Sequence, residues 1–213
     1  MNINHVIINI GRQVCAGGLE IGRLLADEFH ATYYDRELLG LAAEESGFSK
    51  EFLKQSDEKK GFWRSFLQLP INHVTSNTSF YQNNFTQESL FKIQSDVIRK
   101  AASQGSCVFV GRCADYVLRD FPNVVNVFVT ASMDDRVQLF MKEKNVSREE
   151  AIRRIEQVEH RRATYYNYYT GKKWGQASSY DLCIDSSLLG IAETGRFVAD
   201  FIRRRLAHTD LKQ

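Results

Sequence analysis

The chain lacks any apolar run long enough to cross a bilayer. Its longest, residues 6–10 and 124–129, fall far short of the roughly 20 residues a spanning helix needs. It also lacks an excess of one charge. Lys plus Arg number 28 against 26 for Asp plus Glu, a net +2, which excludes a bulk electrostatic drive toward nucleic acid or anionic membrane and requires any anion site to be local. Its four cysteines, Cys15, Cys107, Cys113 and Cys183, show no C-x-x-C spacing. That argues against a zinc site or a disulfide frame and for reduced thiols, three of them in or beside apolar runs. The five histidines have no mutual metal spacing, and no nucleophile elbow precedes a Ser-His-Asp order, so hydrolase chemistry has no support. No basic start followed by an apolar stretch and a cleavage site opens the chain; the expected compartment is the cytoplasm.

What is present reads as a folded α/β protein. The 213 residues suffice for one sizeable core plus insertions, and 43% apolar with 25% charged residues is far from the composition of disorder. Short apolar, β-branched runs at residues 5–10, 32–34, 107–110, 124–130 and 180–184 predict about five strands. Segments of helical period separate them, the pattern of a parallel sheet with helices on both faces. Ile21, Leu24, Leu25 and Phe29 recur at helical spacing, so residues 18–29 are expected to form the crossover helix of a first βαβ unit. Leu90, Ile93, Val97 and Ala101 make a second stripe, and Phe197, Val198, Phe201 and Ile202 a third, each expected to face the core. Residues 61–87 have no clean period and read as an insertion or cap. Residues 149–162 are strongly charged and run into a basic, aromatic stretch, residues 165–175, expected to be an arm with glycine hinges.

In an open parallel sheet ligands bind outside the carboxyl ends of the strands. Gly11-Arg12-Gln13-Val14-Cys15-Ala16-Gly17-Gly18 follows the first strand and feeds a helix. Such a loop either cradles phosphate with backbone N–H groups and the helix dipole, or is simply a tight turn. It departs from the phosphate-loop pattern G-x-x-x-x-G-K-[ST]: Gly17 comes one place late, Gly18 stands where the lysine would be and Leu19 where the hydroxyl would be. Arg12, or Arg161, Arg162, Lys172 and Lys173 of the arm, would have to supply the cation, and Asp35 or Asp185 the metal contact. Cys15 within the loop reads as a small apolar filler or, less simply, as a redox-sensitive thiol. The tyrosines and Trp174 of the arm either stack a base or pack the arm onto its domain.

The chain resembles the cytidylate kinase-like proteins of the P-loop nucleoside-monophosphate kinase superfamily. The resemblance rests on Ile10-Gly11-Arg12-Gln13 with Gly17-Gly18 and Ile21-Gly22, Tyr34-Asp35-Arg36-Glu37-Leu38, Val110-Gly111-Arg112, residues 127–132 with Arg136, residues 161–174, and residues 180–187. It implies a Rossmann-like P-loop kinase core (residues 1–48, 88–145 and 178–213), a helical cap that binds the acceptor (about 49–87) and an arginine-bearing lid (about 146–177). It further implies ATP and Mg²⁺ as cofactors and a nucleotide-like acceptor. Gly11, Arg12, Gln13, Ala16, Gly17, Gly18 and Leu19 would then hold ATP. Asp35, Arg112, Arg161 and Arg162 would be catalytic, Asp35, Arg112, Glu159, Arg162 and Lys172 would meet the acceptor, and Asp35 and Asp185 the metal. Cys113 stands where cytidylate kinases carry the Asp of Gly-Arg-Asp, so the resemblance is to the kinase-like branch and the acceptor does not carry over.

Phosphoryl transfer needs in-line positioning, a metal and cations where charge accumulates, and arginine's planar fork suits the last of these. The expected activity is therefore ATP-dependent phosphorylation of a small acceptor, most simply a nucleoside monophosphate. The alternative is a catalytically impaired nucleotide-binding regulator or interaction protein; a nucleic-acid module using the arm fits the near-neutral charge poorly. No membrane partner is expected, and assembly of identical chains is left open.

Overall fold

The structure, a computed structural model, describes residues 5–35 and 87–210. In chain order these form β1 (Ile7–Arg12), α1 (Gly18–Glu28), β2 (Thr32–Tyr34), α2 (Gln87–Gln104), β3 (Cys107–Val110), α3 (Ala114–Val117), β4 (Val124–Thr130), α4 (Met133–Lys144), α5 (Arg148–Thr170), a 3₁₀ turn (Ala177–Ser179), β5 (Leu182–Asp185) and α6 (Gly190–Asp210). The cap expected at about 49–87 lies, Gln87 apart, outside the described residues.

The five strands pair in the order β2-β3-β1-β4-β5, and every pairing is parallel. With β3 on one side of β1 and β4 on the other, the chain crosses over β1 between them. The carboxyl end of β1 is therefore the switch point at which a crevice opens. Alternation along β1 divides the core. Ile8 and Ile10, both essentially fully buried, pack with Ile21 and Leu25 of α1 and with Val198 and Ile202 of α6. Ile7 points to the other face, against Val97, Ile98 and Ala101 of α2 and Phe109 of β3. The α2 stripe and Ile21, Leu25 and Phe29 of the α1 stripe thus meet the sheet, as period-2 strands and period-3.6 helices require, whereas Leu24 of α1 and Phe197 of the third stripe are exposed. A third cluster, Val14, Val137, Phe140, Ala151 and Ile155, joins the loop after β1 to the helix pair α4 and α5.

Two boundaries differ from expectation for physical reasons. Gly11 and Arg12 belong to β1, because the longer β4 offers them partners in Phe128 and Val129; the loop proper begins at Gln13. The expected arm is largely helix: α5 runs unbroken to Thr170, capped at its start by Ser147 Oγ, which accepts the Glu150 N–H, and ended by left-handed Gly171 (φ 67°). Its tyrosines extend the helix because they have somewhere to pack. Tyr169 stacks on Phe91 of α2 at 4.0 Å between ring centroids, and Tyr165 meets the same ring edge-on. All four cysteines are free. Among the described residues no helix is long and apolar enough to cross a membrane.

Candidate active site

The loop after β1 is fastened on three sides. The Gln13 N–H donates to the Val129 carbonyl at 3.0 Å, and the Gln13 side chain accepts the Ala131 N–H. The Val14 N–H donates to Glu159 Oε1 at 3.1 Å, while Ser186 Oγ donates to the Ala16 carbonyl at 3.0 Å. Held this way, the chain turns into α1 through Gly17, a left-handed N-cap (φ 74°). A Cβ there would sit 2.7 Å from Ile191 Cγ1, so only glycine fits. The first intrahelical bond runs from Ile21 N–H to the Gly17 carbonyl, which leaves the N–H groups of Gly17, Gly18, Leu19 and Glu20 without helical acceptors. Backbone donors and the helix dipole there favour an anion. Cys15 completes the turn with φ 57°. Its thiol packs beside the cluster under the loop and is pushed up by burial and then by Glu143, as befits a filler rather than a reactive thiolate.

The carboxyl end of β3 is built differently. Gly111, Arg112 and Cys113 have φ of 84°, 62° and 56°, three left-handed residues in succession. For the two non-glycines this costs about 1–2 kcal/mol each, and strain of this kind persists where surrounding structure enforces it. The turn sends Cys113 inward, where burial pushes its thiol up to about 12. It sends Arg112 toward Tyr165, with its guanidinium 6.0 Å from the ring centroid, and sets Asp115 in the first turn of α3. Asp115 is buried and accepts a hydrogen bond from Tyr166 Oη at 2.7 Å.

Between these two strand ends lies a cavity of about 320 Å³. Arg12, Arg112, Arg161 and Arg162 line it together with Asp115, and Tyr165, Tyr166, Trp174 and Tyr180 form an aromatic wall. Burial, then the neighbouring charges of Arg162 and Arg112, lowers the Arg12 guanidinium to about 9, against the favourable pull of Tyr33 and Asp35. Burial likewise lowers Arg162, with Glu159 opposing. Four arginines and one carboxylate around a single cavity leave it positively charged, which favours an anionic ligand. The one acid among the lining residues, Asp115, is shifted up by burial, against the Tyr166 hydrogen bond and the charge of Lys172.

The structure thus gathers Gly11, Arg12, Arg112, Arg161 and Arg162, from three separate segments, around one cavity. Gln13, Ala16, Gly17, Gly18 and Leu19 occupy the adjoining loop and helix start. Asp35, just past β2, is near enough to Arg12 to favour its charge. Lys172 is exposed beyond the end of α5, its charge felt at Asp115. Glu159, expected at the acceptor, is turned away from it: its Oε1 is 2.5 Å from Nη1 of buried Arg136 and also takes the Val14 N–H. Asp185 does not line the cavity; its carboxylate accepts the Ser187 N–H at 2.8 Å. Residue patterns did not single out Asp115 or Asn9, which donates from Nδ2 to Asn126 Oδ1 inside the same crevice. Only the three-residue step from Arg112 to Asp115 across a turn into a helix carried a trace of them.

Among the described residues no three His, Cys, Asp or Glu side chains converge as a metal cage. Mg²⁺ bound with a nucleotide uses one or two carboxylates plus phosphate oxygens. Of the two carboxylates the sequence offers for that role, Asp35 lies near enough to act on the charge of Arg12, and Asp185 accepts the Ser187 N–H within its own turn.

Comparison with known proteins agrees with this architecture. A cytidylate kinase from Pyrobaculum calidifontis is 25% identical over 137 residues, 64% of this chain and 74% of that one. The crystal structure of an uncharacterized protein from Eubacterium ventriosum superposes with a TM-score of 0.69 at 23% identity, covering 93% of this chain and 99% of that one. A shikimate kinase from Bacteroides thetaiotaomicron shares the fold with a TM-score of 0.51 at 11% identity, over 93% and 98% of the two chains. The model of the cytidylate kinase-like family matches residues 7–188, from the start of β1 to just past β5, and the chain belongs to that family.

Proposed function

We propose that this protein is a kinase that moves the terminal phosphoryl group of ATP to a small phosphate-bearing acceptor, in the first instance a nucleoside monophosphate. The observation that carries the reading is the meeting, at the carboxyl end of β1, of an anion-binding helix start with a cavity lined by four arginines. Membership of the cytidylate kinase-like family and the P. calidifontis relative support it. Cations in that number suit an acceptor that itself bears phosphate better than a neutral one.

In this reading the N–H groups of Gly17, Gly18, Leu19 and Glu20 grip the donor phosphates, and Arg112, Arg161 and Arg162 hold the acceptor phosphate. An acceptor oxygen gives its electron pair to the γ-phosphorus as the bond to the bridging oxygen breaks and that pair leaves with ADP. Asp35 would be the carboxylate that approaches Mg²⁺ bound with ATP, an ion that would supply charge neutralisation at the phosphate oxygens. The protein's work is positioning and electrostatic stabilisation, with water kept out by the aromatic wall of Tyr165, Tyr166, Trp174 and Tyr180. Glu159 and Asp185 are placed to hold loop backbone rather than ligand.

The test is ADP release from ATP and Mg²⁺ across a panel of nucleoside monophosphates, with thermal-shift binding on the same sample. Acceptor-stimulated ADP is the expected result and names the acceptor class. Nucleotide binding without turnover on any acceptor would replace the kinase with a nucleotide-binding regulator.

A further inference from the structure

The cation missing from the phosphate loop has five sequence candidates: Arg12, Arg161, Arg162, Lys172 and Lys173. We propose that Arg12, the last residue of β1, takes the place of the missing lysine and reaches the transferring phosphoryl group from the opposite end of the loop. The inference rests on the kinase reading above and deepens it.

Three observations favour Arg12. The first is the path of its side chain. Its Cβ and Cγ pass directly over Gly18, where an added Cβ would lie 2.5 Å and 2.7 Å from them. Its guanidinium ends over Gly111, where an added Cβ would collide with Nη1. Two glycines, one at the start of α1 and one at the end of β3, therefore form a track that this arginine occupies. Gly18 is the residue found where the lysine would stand, so the position has given up its own side chain and makes room for that of Arg12.

The second is where the guanidinium ends up. It lies at the seam between the two halves of the site, beyond the free N–H groups of α1 on one side and beside Arg112 and Arg162 on the other. A phosphoryl group passing from a donor on the loop to an acceptor in the cavity crosses that seam. The third is that its side-chain donors are unused among the described residues. Among the described residues no carbonyl or carboxylate accepts a hydrogen bond from the Arg12 side chain. Arg162, by contrast, donates from Nη1 to the Arg12 carbonyl at 3.0 Å, and Arg112 faces the Tyr165 ring. Those two arginines are partly committed to holding structure. Arg12 is held by shape, with its donors left for a ligand, the arrangement expected of a preorganised transition-state contact. Lys172 and Lys173 lie exposed past the end of α5, outside the cavity lining.

The experiment compares wild type with Arg12→Gln, which keeps a polar stem without the charge, and with the double variant Arg12→Gly/Gly18→Lys. ATP, ADP and AMP affinities are measured by calorimetry beside kcat with the best acceptor, and melting temperature is followed throughout. The expected result for Arg12→Gln is a fall in kcat of about 10²- to 10³-fold and a loss of ATP affinity of about tenfold or more. AMP affinity should stay within about twofold, because AMP lacks the phosphates Arg12 would touch. In the double variant the lysine returns to its usual place, and part of the lost kcat should return with it. Wild-type kcat in Arg12→Gln overturns the proposal, as does an equal loss of AMP and ATP affinity. If Arg12→Gln is too unstable to measure, a folded double variant without any recovered turnover overturns it. A wild-type protein that binds ATP but never turns over would overturn the kinase reading as well, and is told apart because it needs no variant.

Discussion

Two turns at neighbouring strand ends, the one after β1 and the one after β3, solve related problems in opposite ways. Both leave a buried parallel strand, both pass through left-handed residues and both enter a helix. After β1 the strained positions precede an 11-residue helix, and what reaches the site is backbone: a row of N–H groups indifferent to side-chain identity. After β3 the helix is only 4 residues long, too short for a useful dipole, and what reaches the site is side chain, Arg112 and Asp115. A loop that binds through its backbone can lose its signature residues and keep its shape. A turn that binds through side chains is legible only in the residues it displays, and those specify the ligand. In the proposed kinase the donor half of the site is thus generic, and the acceptor half carries the specificity.

The sharpest way to break that contrast is Arg112→Ala. It should lower kcat/KM by about 10²- to 10³-fold while ATP affinity and folding change little; steady-state kinetics with direct ATP binding decide it, and an equal loss of ATP affinity would merge the two halves. Next is the fastening of the backbone half. Glu159→Gln leaves the buried Arg136 guanidinium without its ionic partner and should cost about 3 kcal/mol in denaturant unfolding, with activity falling as the loop loosens. An unchanged unfolding midpoint would deny Glu159 its structural role.

Asp115→Asn should do the reverse. Burial raises this carboxyl, so the folded chain binds its proton more tightly than the unfolded chain does. Stability therefore falls as pH rises from the unfolded value through the folded one. Asparagine keeps an acceptor for Tyr166 without the charge. It should raise the melting temperature by a few degrees, flatten the acidic limb of the stability profile and weaken acceptor binding; a lower melting temperature with unchanged acceptor KM would remove Asp115 from the site. The smallest effect is expected from Cys15→Ala. A packed filler with a raised thiol should cost less than about 1.5 kcal/mol and leave turnover intact, and the wild-type thiol should resist alkylation near neutral pH. Rapid labelling coupled to inactivation would restore a redox role.

Much of the frame was legible in sequence because period-2 and period-3.6 patterns report burial directly. The five strands lie where the β-branched runs place them, and the stripes of α1 and α2, Leu24 excepted, face the sheet. The misplacements have local causes. Gly11 and Arg12 read as loop because glycine and arginine are poor strand formers, yet β4 supplies them with pairing partners. The tyrosine-rich stretch read as an arm because aromatic clusters carry no helical signature by themselves, yet Phe91 gives them a surface.

The sequence by itself determined the α/β class, the parallel sheet, the phosphate-type loop without its lysine and the set of arginines to be weighed. Each of these follows from residue type and local spacing. Tertiary structure alone decided which arginines meet, because Arg12, Arg112 and Arg162 are separated by up to 150 residues and converge only through the strand order β3-β1-β4. It also decided that Glu159 grips the loop and that Asp115 is buried beside the arginines. It set Arg12 over two glycines as well. Contacts of this kind depend on which elements pack together, and no periodicity along the chain encodes them.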